Sequence, residues 1–336
     1  MKQNIKIAYF TEGRYTGKVP ANHPNMRVDL AWIHHLNATH YSLYDVSSIG
    51  LEQYDIALIV IPKDKPQDVS KVLDIIKKSA KRIGFVQEGP CDYWTDYTLF
   101  DQIEFVKIMD QADFLMCHNK SDKKYYDGIF PDIETYILPS VLVHEAIPVP
   151  NLDSCGTLPI IIGGNMCKWY NGMVSFMVAL EYNDSDTIHI PSMGRKIPGE
   201  ERLDGLSHLP YMQWSDWMKK LSEFKVGVHL MPTIAAGTFA LNTSYWGIPT
   251  IGYNKVDTQR ICQPLLSVEI DDIASAKKLA KRLRDDRAFY DKCSQQAKEN
   301  YKKYYHPDVF NIYILQVIRR ILGIEYTNVD VDITLI

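Results

Sequence analysis

At 336 residues the chain has room for two domains of ordinary size, each with its own core. Its 46 % apolar and 23 % charged content are those of a globular protein, and a net charge of −4 gives no general attraction to nucleic acid or to an anionic membrane. No apolar run reaches the roughly 18–20 residues of a membrane span, and the opening MKQNIKIAYF enters a strand pattern without a signal-peptide core, so a cytoplasmic protein is expected.

In chain order, Ile5–Phe10 reads as a strand ending in the Gly-bearing loop TEGRYTGK. Tyr54–Ile61 (YDIALIVI) is a near-continuous apolar run closed by Pro62, the pattern of a parallel strand buried on both faces. The spacing then predicts a helix over Pro66–Ala80, a strand over Arg82–Gln87, a helix over Tyr97–Asp110 and a strand over Ala112–His118. A short helix over Asp122–Ile129 and a short strand over Thr135–Leu138 follow. This alternation argues for a doubly wound parallel sheet. The run IPVPN at 147–151 suits a connection between domains, because its two prolines favour extended backbone.

The alternation then restarts. Strands are predicted over Leu158–Ile162, Thr187–Ile190, Val226–Leu230, a segment ending at Tyr253, and Ser267–Ile270. Helices are predicted over Asn171–Tyr182, Trp214–Phe224, Phe239–Trp246, within Ile273–Tyr304, and over Pro307–Leu322. The expected division is a first domain over residues 1–150, a second over 151–305, and a helix and tail over 306–336. The six cysteines, Cys91, Cys117, Cys155, Cys167, Cys262 and Cys293, form no CxxC pair and read as reduced thiols. His23 and the pair His34/His35 lack a second ligand at a productive spacing, and Asp184/Asp186 precede a strand rather than follow one, so no metal is expected.

The stretch VGVHLMPTIAAGTFALNTSYWGIPTIGY, Val226 to Tyr253, places a glycine-permissive helix start beside the end of a strand. Backbone N–H groups there can meet a phosphate or a sugar hydroxyl. A Gly-rich loop, a short helix, Gly-x-Pro and a strand in this order resemble the donor half of nucleotide-sugar glycosyltransferases of the GT-B fold. The resemblance implies two Rossmann-like α/β domains facing across a cleft, with the C-terminal helix crossing back to the first. It also implies a nucleotide sugar, UDP-linked, as donor substrate and no tightly bound cofactor. The family's paired glutamates are absent: alignment on Gly237, Gly247 and Pro249 puts Ile234 and Asn242 in their places.

On the donor side, Gly163, Gly164, Asn165 and Lys168 follow one strand, Arg195 follows the next, and Gly237 and Thr238 open the short helix. Each can present positive charge or N–H groups to a diphosphate whose charge grows as the glycosidic bond breaks. Asn242 either reaches a ribose hydroxyl or packs within its helix. Gln259 and Arg260 either reach the cleft or belong to a polar helix start, and Tyr211 is assigned to a loop facing the nucleobase. On the acceptor side, Gly13 and Arg14, Tyr93 and Trp94, and Lys120 lie after strands, where open sheets bind ligands. An inverting reaction needs a general base, for which Glu88, Asp92, Asp96, His118 and Glu12 are the candidates.

The pattern as a whole resembles glycosyltransferases of tailed bacteriophages, some of which modify DNA. That implies double-stranded DNA carrying hydroxymethylated pyrimidine, or otherwise a glycan, as acceptor, no membrane, and the host cytoplasm as location. Residues 1–150 carry sixteen Lys/Arg against twenty Asp/Glu, so a DNA path there would be a local basic track. A nucleotide-sugar epimerase of the same fold and a non-catalytic nucleotide-sugar binding protein remain as alternatives.

Overall fold

The computed structural model describes residues 5–49, 53–62, 65–87, 89–183, 187–191 and 196–324. Its first half contains strands β1 (Ile7–Thr11), β2 (Thr39–Ser42), β3 (Tyr54–Ile61), β4 (Ala80–Gln87), β5 (Phe114–Cys117) and β6 (Thr135–Ile137). Between them run helices α1 (Val28–His35), α2 (Gln67–Ser79), α3 (Leu99–Met109) and α4 (Lys120–Ile129). The strands form one parallel sheet in the order β2-β1-β3-β4-β5-β6. Burial on both faces explains the continuous apolar run of β3, which pairs with β1 on one side and β4 on the other.

The second half repeats the plan. Strands β7 (Leu158–Ile162), β8 (Ile188–Ile190), β9 (Leu206–His208), β10 (Phe224–His229), β11 (Thr250–Tyr253) and β12 (Ser267–Val268) pair in parallel in the order β12-β11-β10-β7-β8-β9. Helices α5 (Gly172–Tyr182), α6 (Trp214–Leu221), α7 (Thr238–Trp246), α8 (Asp257–Cys262), α9 (Ile273–Asp285) and α10 (Arg287–Asn300) cover this sheet. The order reverses between β7 and β10, and ligands of open α/β sheets bind at such a switch point, beyond the carboxyl ends of the strands.

A π-helical turn over Tyr301–Tyr305 leads into α11 (Pro307–Ile321). That helix returns to the first domain, where the Tyr313 hydroxyl donates to Ile137 O at 2.7 Å and Arg320 pairs with Glu134. One hydrophobic core therefore joins Tyr9 and Trp32 of the first domain, Trp214 and Leu241 of the second, and Phe310 and Ile314 of α11. Elements that go beyond the sequence reading include α1, β2 and β9, and α8 realises the helix start that was one of two readings there. Among the described residues no helix is long and apolar enough to cross a membrane.

Candidate functional site

The residues leaving β7 and β10 frame a cavity of about 190 Å³ at the switch point of the second sheet. Gly163 and Gly164 follow β7. A Cβ on Gly163 would stand 2.6 Å from the His229 ring, and one on Gly164, whose φ is +71°, would stand 2.4 Å from the Tyr170 ring. The glycines make room for these two rings, which stack with centroids 6.3 Å apart and both line the cavity. Asn165 is buried, and its Oδ1 accepts the Cys167 N–H at 2.9 Å, folding the turn that carries the exposed Lys168.

Across the cavity lies the start of α7. Gly237 precedes it at φ +67°, and no side chain caps the helix. Gly237, Thr238, Phe239 and Ala240 all line the cavity. The N–H groups of a first helical turn have no partner within the helix, and they carry the positive end of its dipole. The Thr258 hydroxyl donates to Gly237 O at 2.8 Å and holds this turn in place. The arrangement is suited to phosphate oxygens.

The first domain closes one side of the cavity through Val28 of α1. It also grips the loop before α7: Ser140 Oγ donates to Ala236 O at 2.6 Å, and Asn119 Nδ2 to Ala235 O at 3.5 Å. Nearby, Asp257 accepts the Lys120 backbone N–H at 2.9 Å with one oxygen and the Arg260 guanidinium at 2.9 Å with the other. Lys120 and Arg260, assigned to acceptor and donor from the sequence, thus meet at one carboxylate between the domains. His118, one residue before Asn119, is buried and stacks on Trp32 with centroids 5.2 Å apart. It is the predicted base candidate that the structure sets beside the contact with the loop before α7.

Asp122 is buried two residues beyond Lys120; Asn119 Nδ2 donates to its carboxyl at 2.9 Å, and the Asp122 backbone N–H donates to Asn119 Oδ1 at 2.9 Å. Asn119, not Asp122, caps α4. Burial pushes the Asp122 carboxyl up to about 7; the Cys91 thiol and the His118 backbone pull it down, and Asp257 and Asp92 push it up.

The remaining acceptor-side residues lie apart from the cavity wall. Asp92 and Asp96 are exposed around the short helical turn Tyr93–Asp96. Trp94 of that turn stacks on Phe105 at 5.2 Å, and Tyr93 packs edge-on against Tyr97, so both rings serve first-domain packing. Glu12 is exposed and accepts the Tyr44 hydroxyl at 3.2 Å, and the Gly13 N–H donates to Thr11 Oγ1 at 2.9 Å. Arg14 lines a separate hollow of about 310 Å³ with Thr16, Ser42, Tyr44 and Asp45. Glu88 and Arg195, with Asp184 and Asp186, lie outside the described residues.

Two donor-side amides are engaged within the protein. Asn242 is buried in α7, and the hydrogen bonding that fits its surroundings has its amide donating to Thr238 O at 3.2 Å and accepting from Trp217 Nε1 at 3.3 Å. It packs within its helix, the second of its two sequence readings. Gln259 borders the cavity, but its Nε2 donates inward to Thr250 O at 2.8 Å, so the amide braces the β11 region. Tyr211 is exposed, with its hydroxyl accepting from Arg27 of the first domain at 3.3 Å. Arg27 adjoins Val28 of the cavity wall, but Tyr211 does not itself line the cavity.

The sequence reading missed His229, Tyr170 and Ser140. His229 had one visible signal, a polar side chain after the apolar run Val226–Val228 and before a Gly-bearing loop. Among the described residues no group of three or more His, Cys, Asp or Glu side chains could hold a metal ion.

Known structures share this fold. Sucrose-phosphate synthase from Thermosynechococcus elongatus superposes with a TM-score of 0.71 at 10 % identity, covering 96 % of this chain and 100 % of that one. An alpha-glucosyltransferase in complex with UDP and a 13-mer DNA containing an HMU base gives 0.63 at 12 % identity, with 94 % and 99 % covered. TarM from S. aureus, in complex with UDP among other ligands, gives 0.61 at 11 % identity, with 82 % and 57 % covered. No protein-family model matches the chain, and no curated protein matches it. The fold is GT-B: two parallel α/β domains facing across a cleft, as the sequence resemblance implied.

Proposed function

We propose that this GT-B chain is a glycosyltransferase that moves a sugar from a UDP-linked donor to an acceptor hydroxyl. The observation that carries the reading is the uncapped start of α7, opening into a cavity at the switch point of the second sheet and held there from the first domain by Ser140 and Asn119. Departure of the sugar leaves negative charge on the diphosphate. The first-turn N–H groups of α7 are fixed in advance, so they stabilise that charge without reorganising as it forms. Lys168, exposed in the turn that leads to Tyr170, is the cation assigned to that charge. In this reading the acceptor lies against the first domain, and His118 is the group through which its hydroxyl proton is handled; the leaving phosphate is the other acceptor for that proton.

The acceptor we assign is DNA bearing a hydroxymethylated pyrimidine. What supports it is the likeness over nearly full length to the alpha-glucosyltransferase bound to modified DNA, together with Arg14 exposed after β1. The test has two stages. Thermal unfolding with UDP, UDP-sugars, and ADP and GDP counterparts should show stabilisation by the uridine set, about 2.7 kcal/mol at roughly 100 times the dissociation constant. Release of UDP from a UDP-sugar should then accelerate on adding hydroxymethylated duplex DNA. Stabilisation with release driven only by a glycan would move the acceptor; no response to any nucleotide would remove the transferase reading.

A further inference from the structure

The chain passes between its domains twice, and both crossings meet in one cluster of rings. His144 opens a short helical turn, His144–Ala146, just before the run at 147–151 that leads to the second domain. His306 lies between the π-helical turn and α11, which returns to the first domain. The two imidazoles stand edge to face with centroids 4.9 Å apart. His144 Nε2 is hydrogen-bonded to the Tyr301 hydroxyl at 2.6 Å. Tyr245, from the last turn of α7, packs on the His144 and Tyr301 rings at 5.4 and 5.5 Å. The other end of α7 is the wall of the cavity.

His306 also caps α11, its Nδ1 accepting the Asp308 N–H at 3.3 Å. A protonated imidazole has donors on both nitrogens and accepts nothing, so this cap exists only while the ring is neutral. The Asp308 carboxylate, 3.3 Å from the same nitrogen, is the partner the charged ring takes instead. The groups that face His144 are Glu145 of its own turn, His306 and Asp308 from α11, and His35 from α1 with His34 beside it. Tyr245 and Tyr301 complete the surroundings, and burial keeps both phenols protonated. Burial lowers the His144 pKa below the ordinary 6.5, and His306 and His35 lower it further against the pull of the two carboxylates. The contribution of His144 to the folded contact is therefore full above the ordinary 6.5 and is lost as pH falls through the lowered value.

Going beyond the proposed reaction, we propose that His144 and His306 form a pH-sensitive hinge. Neutral, the two rings pack the domain crossings together and cap α11. Charged, they repel each other and the cap is exchanged for a carboxylate, so the start of α11 parts from the last turn of α7 and the domains open. Imidazole is the side chain whose ordinary titration falls between about pH 5 and 8, so mild acidification suffices.

The experiment follows the full chain from about pH 8 to about pH 5 by solution scattering and thermal unfolding, in wild type, His144→Gln and His306→Asn. Glutamine keeps a hydrogen-bonding group toward Tyr301, and asparagine caps a helix at any pH. Neither gains a proton in this range. The expected result is that the wild-type radius of gyration rises and its unfolding temperature falls in one step centred below pH 6.5, and that each variant loses most of that step. Asp122, held at about 7, and His229, at about 4, are present in all three proteins and cancel in the comparison. A wild-type radius that does not change overturns the hinge, and so does a step left unchanged in either variant. Rings that only pack would lower the variants' stability equally at both ends of the range and leave the step in place. Should a variant not fold, the assigned ring resonances of His144 and His306 in the wild type decide. Both must titrate through the step; a step through which they do not shift rules the hinge out. None of these readouts uses a nucleotide, so the hinge and the proposed function stand or fall separately.

Discussion

Two ionisable residues near the cavity, the buried Asp122 and the half-buried His229, titrate in opposite senses. Burial holds the Asp122 carboxyl at about 7, above its ordinary 3.8. The folded protein binds that proton more tightly than the unfolded chain, so the contribution to stability is full below about pH 4 and is lost as pH rises through 7. Burial holds His229 at about 4, below its ordinary 6.5. Its contribution is present above about pH 6.5 and is lost as pH falls towards 4. With about 1.4 kcal/mol per unit, the His229 effect is on the order of 3 kcal/mol. Urea midpoints measured every half pH unit should show Asp122→Asn flattening the fall from pH 4 to 7 and His229→Phe flattening the loss from pH 6.5 to 4. Profiles parallel to wild type would mean that neither group is held as described. Neither environment was legible in the sequence. In the sequence Asp122 only opens a predicted helix, and only the fold shows that Asn119 caps α4 and that Asp122 is buried. Amides hide in the same way: Asn242 and Gln259 looked available because nothing local predicts that Trp217 and Thr250 will occupy them.

Among elements, α7 carries the most of the proposed site for its length. Its entry depends on Gly237, whose positive φ strains any L side chain and whose Cβ would stand 2.1 Å from Thr258 Oγ1 and 2.5 Å from Val256 Cγ1. Gly237→Ala is expected to cost roughly 1–3 kcal/mol and to weaken UDP binding by displacing the N–H groups at the cavity. Gly128→Ala, in α4 with nothing near the added carbon, is the control, expected to stabilise by about 0.5–1 kcal/mol. Thermal unfolding with and without UDP checks both; equal behaviour of the two variants would contradict the role given to Gly237. This element was readable because its signals are local: apolar strand, glycine, helix, Gly-x-Pro. So were β3 and β7, whose runs of isoleucine and valine have no other use. The missed elements lack such signals. α1 (VDLAWIHH) is apolar around its middle and shows no polar face, while β2 (THYS) is polar in composition and buried only because β1 pairs with it.

At the scale of the molecule, the two sheets are not independent bodies. The core that contains Trp32, Trp214 and Phe310 crosses from one domain to the other through α11. Removing everything after Tyr305 would take away six buried apolar or aromatic side chains of that helix, Phe310, Tyr313, Ile314, Val317, Ile318 and Ile321, and bare the core surface they cover. At roughly 1.5–3 kcal/mol each, the loss is comparable to the whole stability of a typical protein, about 5–15 kcal/mol. The truncated chain should fail to unfold cooperatively, and the intact chain should unfold in one transition by far-ultraviolet dichroism and by tryptophan fluorescence. Asp257 tests the same coupling more gently. Its carboxylate is the point where Lys120 of the first domain and Arg260 of the second are held together. In Asp257→Ala the Lys120 N–H and the Arg260 guanidinium lose that shared partner, while both sheets keep their strands. The expected outcome is a more open molecule, with a larger radius of gyration in solution scattering, and turnover that falls more than UDP affinity does. The uncapped turn of α7 proposed to meet the diphosphate belongs to the second domain alone, whereas in the proposed transfer the first domain presses against the loop before it. Equal losses in turnover and UDP affinity at an unchanged radius would place Asp257 in the donor site itself rather than between the domains.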